Sequence, residues 1–190
     1  MSIFDLCLEV EELLGQAREE ELSSDKQEKL LVAIDALRFI FVKGLSYEFE
    51  DYRKSLDANA PPLVIAAFEN FAEADAWLQA HPRPPLGAQV LANNEYYRVI
   101  YVRDTGLRKL LHNPGALTYY LEDLLREGSP APVATFSSRE EAEAWLNQQP
   151  EPPGHAFITI AGEYYLAVYH HAVKLRSLYP VPRGLLTNAP

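Results

Sequence analysis

Apolar residues at the start of the chain recur at the spacing of an amphipathic helix. Ile3, Cys7, Val10 and Leu14 follow one another at steps of four, three and four residues. A helix with about 3.6 residues per turn places these positions on one side, while acidic residues fill the opposite side. The pattern therefore predicts an amphipathic helix over residues 3–20.

Two further helices are predicted before the pattern changes. Ser24 is predicted to be the N-cap of the second helix, with Asp25 and Glu28 in its first turn. The apolar stripe of this second helix is Leu30, Leu31, Ile34, Leu37, Phe41 and Val42. Gly44 either ends the helix or marks a bend, because glycine favours the conformation that terminates helices. A third helical stretch is predicted over residues 45–56.

The rest of the chain repeats itself at a fixed offset. Residues 68–101 align with residues 136–169 without a gap, and 14 of these 34 positions are identical. The identical residues of the first copy are Phe68, Glu73, Ala74, Ala76, Trp77, Leu78, Pro82, Pro84, Pro85, Ala88, Glu95, Tyr96, Tyr97 and Tyr101. Residues 45–51 also resemble residues 117–123. Similarity at a fixed offset indicates an internal duplication.

Each copy contains a capped helix that ends at a proline-rich run. The helix opens on Asn70 in one copy and on Ser138 in the other, each followed three residues later by glutamate. This spacing predicts a capping box. The runs at 82–85 and 150–153 end the helices because proline cannot continue a helix and favours extended backbone before it.

Strands are predicted on both sides of each capped helix. A short apolar strand precedes it, and two strands joined by a two-residue turn follow it. The turns are residues 93–94 and 161–162, where Asn and Gly tolerate positive φ. The predicted strands are 63–68, 89–92 and 95–102 in the first copy and 133–136, 157–160 and 163–170 in the second. Apolar residues on both faces of 95–102 predict a central strand.

These elements predict an α+β protein. An N-terminal helical segment precedes a tandem duplication of an α-β-α-β-β unit, and the two units are expected to pack as a pseudo-twofold pair. We expect acidic helices over residues 1–44, repeat unit 1 over 45–113, repeat unit 2 over 114–180 and a loose C-terminal tail over 181–190. Trp77 and Trp145 are expected in the core.

Composition places the chain among folded proteins of the cytoplasm. Of its 190 residues 48% are hydrophobic, and one Cys leaves no partner for an internal disulfide. The first residues lack the basic region of a signal peptide. No apolar run reaches the roughly 18 residues that a membrane helix needs.

Charge argues against nucleic acid and anionic membranes as partners. The net charge is −10, and residues 1–57 hold 14 acids and 7 bases. Binding to phosphates needs clustered Lys and Arg instead. The acidic front is compatible with a basic protein partner, but acidic helices are more often acidic for solubility alone. The candidate partner-binding residues are Glu9, Glu12, Glu19, Glu20 and Glu21.

The residues that differ between the copies suggest a second candidate site, because the shared fold does not need them. At the seam between the units these candidates, with two of the tyrosines, are Arg103, His170, His171, Tyr97 and Tyr165. Adjacent histidines on a strand point to opposite faces and cannot chelate one metal ion. No catalytic residue, metal ligand or cofactor site is predicted.

The sequence therefore favours binding over catalysis. The first hypothesis is a non-enzymatic cytoplasmic protein-interaction protein. In its most concrete form it is an inhibitor or immunity-type protein that neutralises a basic partner such as a nuclease toxin. The alternatives are a small-molecule binder or enzyme with a site at the seam, and a structural subunit that self-associates through sheet edges or the first helix.

Overall fold

The computed structural model is a mixed α+β protein in which N-terminal helices precede two four-stranded sheets. It describes residues 2–55, 60–149 and 154–186. The chain divides into two compact units, a helical unit over residues 1–57 and a sheet unit over residues 58–190. The third helix, expected in repeat unit 1, falls within the helical unit.

The helical unit contains the three predicted helices. They are α1 (Ile3–Glu20), α2 (Ser24–Val42) and α3 (Ser46–Ser55). Ser2 begins α1 with a capping box, in which its hydroxyl accepts from the Asp5 N–H and the Asp5 carboxylate accepts from the Ser2 N–H. The cap position of α2 is Ser23 rather than the predicted Ser24, and its side chain makes no capping bond.

α1 and α2 form an antiparallel pair with a thin core. The rings of Phe4 and Phe41 lie 5.1 Å apart, so the start of α1 meets the end of α2. Among the described side chains of this unit only Cys7 and Ile34 are buried. Several large apolar side chains are exposed instead, Leu13 and Phe39 among them.

The sheet unit contains two sheets with the same strand order. Its elements are β1 (Ala66–Phe68), α4 (Phe71–Ala80), β2 (Gln89–Ala92), β3 (Glu95–Val102), β4 (Leu107–His112), α5 (Gly115–Leu124), β5 (Ala134–Phe136), α6 (Arg139–Gln148), β6 (His155–Ile160), β7 (Glu163–His170) and β8 (Leu175–Pro180). The strand orders are β1-β2-β3-β4 and β5-β6-β7-β8. In each sheet the first pair is parallel and the other two pairs are antiparallel.

The predicted capped helices and hairpins are confirmed. The side chains of Asn70 and Ser138 accept from the N–H groups of Glu73 and Glu141 at 3.0 and 3.3 Å. Each glutamate reaches the N–H of the residue before the cap rather than the cap itself. The turn residues 93–94 and 161–162 all have positive φ, between 50° and 82°. This is the conformation of a type I′ hairpin turn.

The fourth strand of each sheet was not predicted. β4 and β8 pair with six of the eight residues of β3 and β7, which makes those two strands central as expected. β4 reads Leu-Arg-Lys-Leu-Leu-His and lacks the strict alternation of a half-buried strand. Edge strands tolerate charged residues, so their alternation of apolar and polar residues is weak.

The core of the sheet unit lies in three layers. The helix α4 covers Val90 and Val99 on the outer face of the first sheet, and α6 covers the outer face of the second. Between the sheets, Leu91 and Tyr96 of the first pack with Phe157 and Leu166 of the second. Leu121 and Leu125, in and after α5, complete this central cluster.

The two tryptophans lie at the margin of the core. Trp77 and Trp145 are half-buried, and each ring lies 5.5 Å from a phenylalanine ring at the end of the first strand of its sheet. They pack against the outer-face clusters. A ten-residue helix on a four-stranded sheet leaves one edge of so large a ring in solvent.

Corresponding arginines connect each helix to the fourth strand of its sheet. Arg108 donates to the backbone oxygens of Leu78 and Gln79 at the end of α4, and Arg176 donates to the oxygen of Gln149 at 2.9 Å. The two arginines are separated by the same offset as the repeated residues. A cation at a helix C-terminus is favourable because it meets unpaired carbonyl groups and the negative end of the dipole.

The expected loose tail is in part ordered. Val181 is buried in the central cluster, and its N–H donates to the Tyr164 oxygen at 2.9 Å. Leu185 and Leu186 pack against the same cluster, so residues 181–186 belong to the fold. Apolar contacts outweigh the breaking tendency of the two prolines there. Residues 187–190 and the proline run 150–153 lie outside the described residues.

Candidate functional site

A groove lies between α1 and α2 of the helical unit. Its volume is about 450 Å³. The lining residues are Leu8, Glu11, Glu12, Gly15, Arg18 and Glu19 of α1 and Leu31, Ile34 and Arg38 of α2. The floor is apolar and the rim is charged, which is the usual composition of a site that anchors an apolar side chain and orients it with polar groups.

Gly15 lies in the lining of this groove. A Cβ atom built at Gly15 meets no atom within 4 Å, so no neighbour requires a glycine there. Its φ is not positive either. A glycine inside a helix costs about 1 kcal/mol relative to alanine. The helix therefore carries this cost at Gly15 without a packing benefit, and the space beside Gly15 is open in a groove that Leu31 and Ile34 also line.

One ion pair fixes the rim between the helices. The Arg38 guanidinium lies against the Glu11 carboxylate, with N–O distances of 2.7 and 2.8 Å. In this pair the positive charge of Arg38 on α2 is neutralised by Glu11 on α1. Glu12 and Glu19 on the α1 side have no ion-pair partner among the described residues. They can pair with an approaching cation, although Arg18 of α1 also brings a positive charge to the lining of the groove.

Four of the five predicted acidic residues form one surface. Glu9, Glu12, Glu19 and Glu20 are exposed and fall within about 100° of the α1 circumference. Glu12 and Glu19 line the groove, and the other two lie one step further from it. We call these four residues the acidic surface. None has an ion-pair partner within the described part of the chain.

Glu21 differs from the other four because it holds the turn between the helices. Its carboxylate accepts from the Ser23 N–H at 2.9 Å and lies 3.2 Å from the Lys26 ammonium. Its backbone oxygen accepts from the Gln27 side chain. The Ser23 hydrogen bond and then Lys26 lower the pKa of Glu21 below its ordinary value. This glutamate is already engaged by its own unit.

Of the seam candidates, only His170 lies between the two sheets. It is 3% exposed, and its ring lies 5.9 Å from the Tyr96 ring. Its Nε2 is 3.3 Å from the Tyr179 hydroxyl, while its Nδ1 and the Tyr96 hydroxyl have no hydrogen-bond partner. Burial, with a smaller contribution from His171, lowers the pKa of His170 to about 4. His170 is therefore neutral at pH 7.

The other four seam candidates lie elsewhere. Tyr97 and Tyr165 pack on the outer faces of the sheets, beneath α4 and α6. Arg103 is exposed in the turn between β3 and β4, and the exposed His171 ring lies against Tyr169 at 4.4 Å. Neighbouring residues of a strand point to opposite faces, which explains why Tyr97 and Tyr165 lie on the outer faces. Tyr96 and Tyr179 are the aromatic neighbours of His170 instead.

The groove itself was not predicted from the sequence. The apolar pattern assigns Leu8 and Leu31 to helix stripes, and Gly15 does not stand out in it. The available signal was a glycine in the interior of a strongly patterned helix, which lowers helix stability and so calls for an explanation. The acidic surface, in contrast, was readable from charge alone.

Neither metal ligands, nor a membrane span, nor similarity to a known protein points to a function for this chain. Within residues 2–55, 60–149 and 154–186, no three His, Cys, Asp or Glu side chains gather as metal ligands. No helix in the same ranges is long and apolar enough to cross a membrane. No protein-family model matches the chain, and neither a curated protein nor a solved structure is significantly similar to it.

Proposed function

We propose that this chain is a non-enzymatic protein-interaction protein whose helical unit binds a basic protein in the groove between α1 and α2. The observation that carries the proposal is the acidic surface beside an open apolar groove. An apolar side chain of the partner occupies the space over Gly15, and its cations meet Glu12 and Glu19. Apolar anchors give affinity, and complementary charge speeds association.

The most specific form of the proposal is a cytoplasmic inhibitor or immunity-type protein that neutralises a cationic protein such as a nuclease toxin. An excess of seven negative charges over residues 1–57 supports it. So does the thin core of the helical unit, which leaves Leu13 and Phe39 more than half exposed. A partner surface that covers such side chains gains free energy of association.

The sheet unit serves as the scaffold in this proposal, and we infer that it arose by tandem duplication into a pseudo-twofold pair. The ungapped alignment of residues 68–101 with residues 136–169 supports the duplication, as does the shared strand order. The matching roles of Arg108 and Arg176 lie outside the window of sequence identity and add independent support.

Affinity purification from the native cytoplasm tests the proposal. Wild type is compared with Glu12→Gln/Glu19→Gln and with a control of equal charge, Glu122→Gln/Glu127→Gln, whose sites are exposed on the sheet unit. We expect wild type and control to recover the same basic protein at low salt and to lose it at high salt. Recovery that is equal for all three proteins, or independent of salt, would sink the electrostatic proposal.

A small-molecule site at the seam is a second candidate, supported by one observation. The unpartnered Tyr96 hydroxyl and His170 Nδ1 are buried polar atoms, which ordinarily find a partner. A metabolite screen by thermal shift tests it. A ligand that raises the melting temperature of wild type but not of His170→Val supports the seam, and equal shifts for both proteins argue against it.

A further inference from the structure

Equivalent pairs of residues in the two sheets differ in how far other parts of the protein cover them. In the second sheet, cross-strand pairs of β7 and β8 face the first sheet and the central cluster. These pairs are Leu166 with Tyr179, Val168 with Ser177, and His170 with Leu175. All but Leu175, which is half-buried, are buried. This face is an interior surface of the protein.

In the first sheet the corresponding part of this face, beyond the buried Leu91 and Tyr96, is open. Its pairs, at the corresponding positions of the first copy, are Arg98 with Leu111, Ile100 with Lys109, and Val102 with Leu107. We call these six residues the open face. Val102, Leu107 and Leu111 are 40%, 52% and 48% exposed. Apolar side chains that are grouped in this way on one face mark an interaction surface rather than the scattered exposure of an ordinary surface.

Two cations stand among these apolar residues. Arg98 and Lys109 are exposed and have no ion-pair partner within the described residues. At the equivalent positions of the second sheet the chain carries Leu166 and Ser177. The architecture therefore does not require cations at these positions.

We infer that the open face docks an amphipathic acidic helix of a partner protein. Leucine-like side chains of that helix cover Val102, Leu107 and Leu111, and its carboxylates pair with Arg98 and Lys109. A helix has a suitable size for this face, because the ten-residue helix α4 already covers the opposite face of the same strands. The three pairs span about 14 Å along the strands, which matches about nine residues of helix.

This surface is separate from the groove of the helical unit and has the opposite charge. The groove presents unpaired carboxylates to a basic partner, while the open face presents unpaired cations to an acidic one. The inference rests on the cover and charge of β3 and β4 alone. It stands or falls independently of the proposed function.

An unbiased selection tests the inference. A displayed library of 16-residue helical peptides, with leucine on one side and all other positions random, is selected on the full chain. Clones are kept when they bind wild type but not Arg98→Glu/Lys109→Glu. We expect the kept clones to be enriched in Asp and Glu. A synthetic copy of one clone should bind the double variant at least tenfold more weakly than wild type, with a difference that shrinks at high salt.

A charge-matched control separates the face from general electrostatics. Arg83→Glu/Lys174→Glu changes two exposed cations elsewhere in the sheet unit and gives the same net charge. It should retain binding of the acidic clones. The inference is overturned by clones rich in Lys and Arg, by an absence of clones that depend on Arg98 and Lys109, or by equal loss in both double variants. It is also overturned by a wild-type dimer that Arg98→Glu/Lys109→Glu dissociates, because the occupant is then a second copy.

Discussion

Two buried polar side chains of the sheet unit reduce its stability, because each has an atom without a hydrogen-bond partner. His170 leaves one ring nitrogen without a partner inside the sheet unit, and Tyr96 leaves its hydroxyl. An unsatisfied buried group costs about 1–3 kcal/mol. The T-shaped contact between the two rings and the stacking of Tyr96 on Tyr179 offset part of this cost. The stability of the protein should therefore respond to pH and to substitution at His170.

His170 makes the stability of the protein sensitive to mild acid. Its pKa is about 4 in the folded state, against an ordinary value of 6.5. The unfolded chain therefore takes up a proton first as pH falls. The contribution of neutral His170 is full above pH 6.5, and up to roughly 3 kcal/mol is lost as pH falls to 4.

Urea unfolding of wild type and His170→Val at pH 7 and pH 5 measures this effect. Valine is the residue at the equivalent position of the first sheet, Val102. The variant should lose less stability between the two pH values than wild type does. Equal losses would mean that His170 does not titrate as a buried group.

The acidic residues at the end of α1 should respond differently to neutralisation. Glu21→Gln should lower the melting temperature at pH 7, because its carboxylate accepts from Ser23 and pairs with Lys26. Its pKa is lowered in the fold, so this contribution is present above the ordinary glutamate pKa and is lost as pH falls. Glu19→Gln/Glu20→Gln should leave the melting temperature unchanged or slightly raised, since these charges oppose the helix dipole. A reversed order in thermal melts followed by circular dichroism contradicts this assignment.

Element boundaries followed from local chemistry, and partners between elements did not. α1, β2, β3 and β7 begin and end where the sequence predicts, because their caps, two-residue turns and apolar alternation are encoded within a few residues. β4 and β8 were not predicted, because the side chains suited to these strands depend on neighbours far along the chain. The same applies to the seam, where register brought Tyr96 rather than Tyr97 beside His170.

The arginines of the fourth strands should contribute more to the free energy of unfolding than their half-exposed positions suggest. Arg108→Met and Arg176→Met remove hydrogen bonds to carbonyl groups at the ends of α4 and α6. They also remove the stacking on Tyr101 and Tyr169. We expect each to lower the free energy of unfolding by about 1–3 kcal/mol. Arg83→Met, at an exposed site, is the control in urea unfolding, and an equal effect there would refute the role.

Both tryptophans should contribute to stability as packing groups. Trp77→Ala and Trp145→Ala remove half-buried rings that pack on Phe68 and Phe136. Full burial of such a ring is worth about 3–5 kcal/mol, so partial burial sets the expectation at about 2–4 kcal/mol. Thermal unfolding checks this. A variant that keeps its melting temperature but no longer recovers the basic partner would identify the ring as part of a binding surface.

The whole molecule combines a well-packed sheet unit with a helical unit that has little interior. The sheet unit buries clusters on both outer faces and between its sheets. The helical unit buries two side chains among those described and holds most of the excess negative charge. Charge and composition could be read from the sequence, so the acidic surface was predictable. The groove and the open face depend on tertiary packing and were not.

The central claim is that the groove over Gly15 receives an apolar side chain of a basic protein. The direct measurement is the Kd of the basic protein recovered by affinity purification for wild type, Gly15→Leu and Ala17→Leu. Leucine at position 15 fills the groove and favours the helix, while Ala17 is exposed on α1 away from the groove. We predict that Gly15→Leu folds at least as stably as wild type and binds at least tenfold more weakly, and that Ala17→Leu binds as wild type does. Wild-type affinity in a folded Gly15→Leu protein would contradict the account.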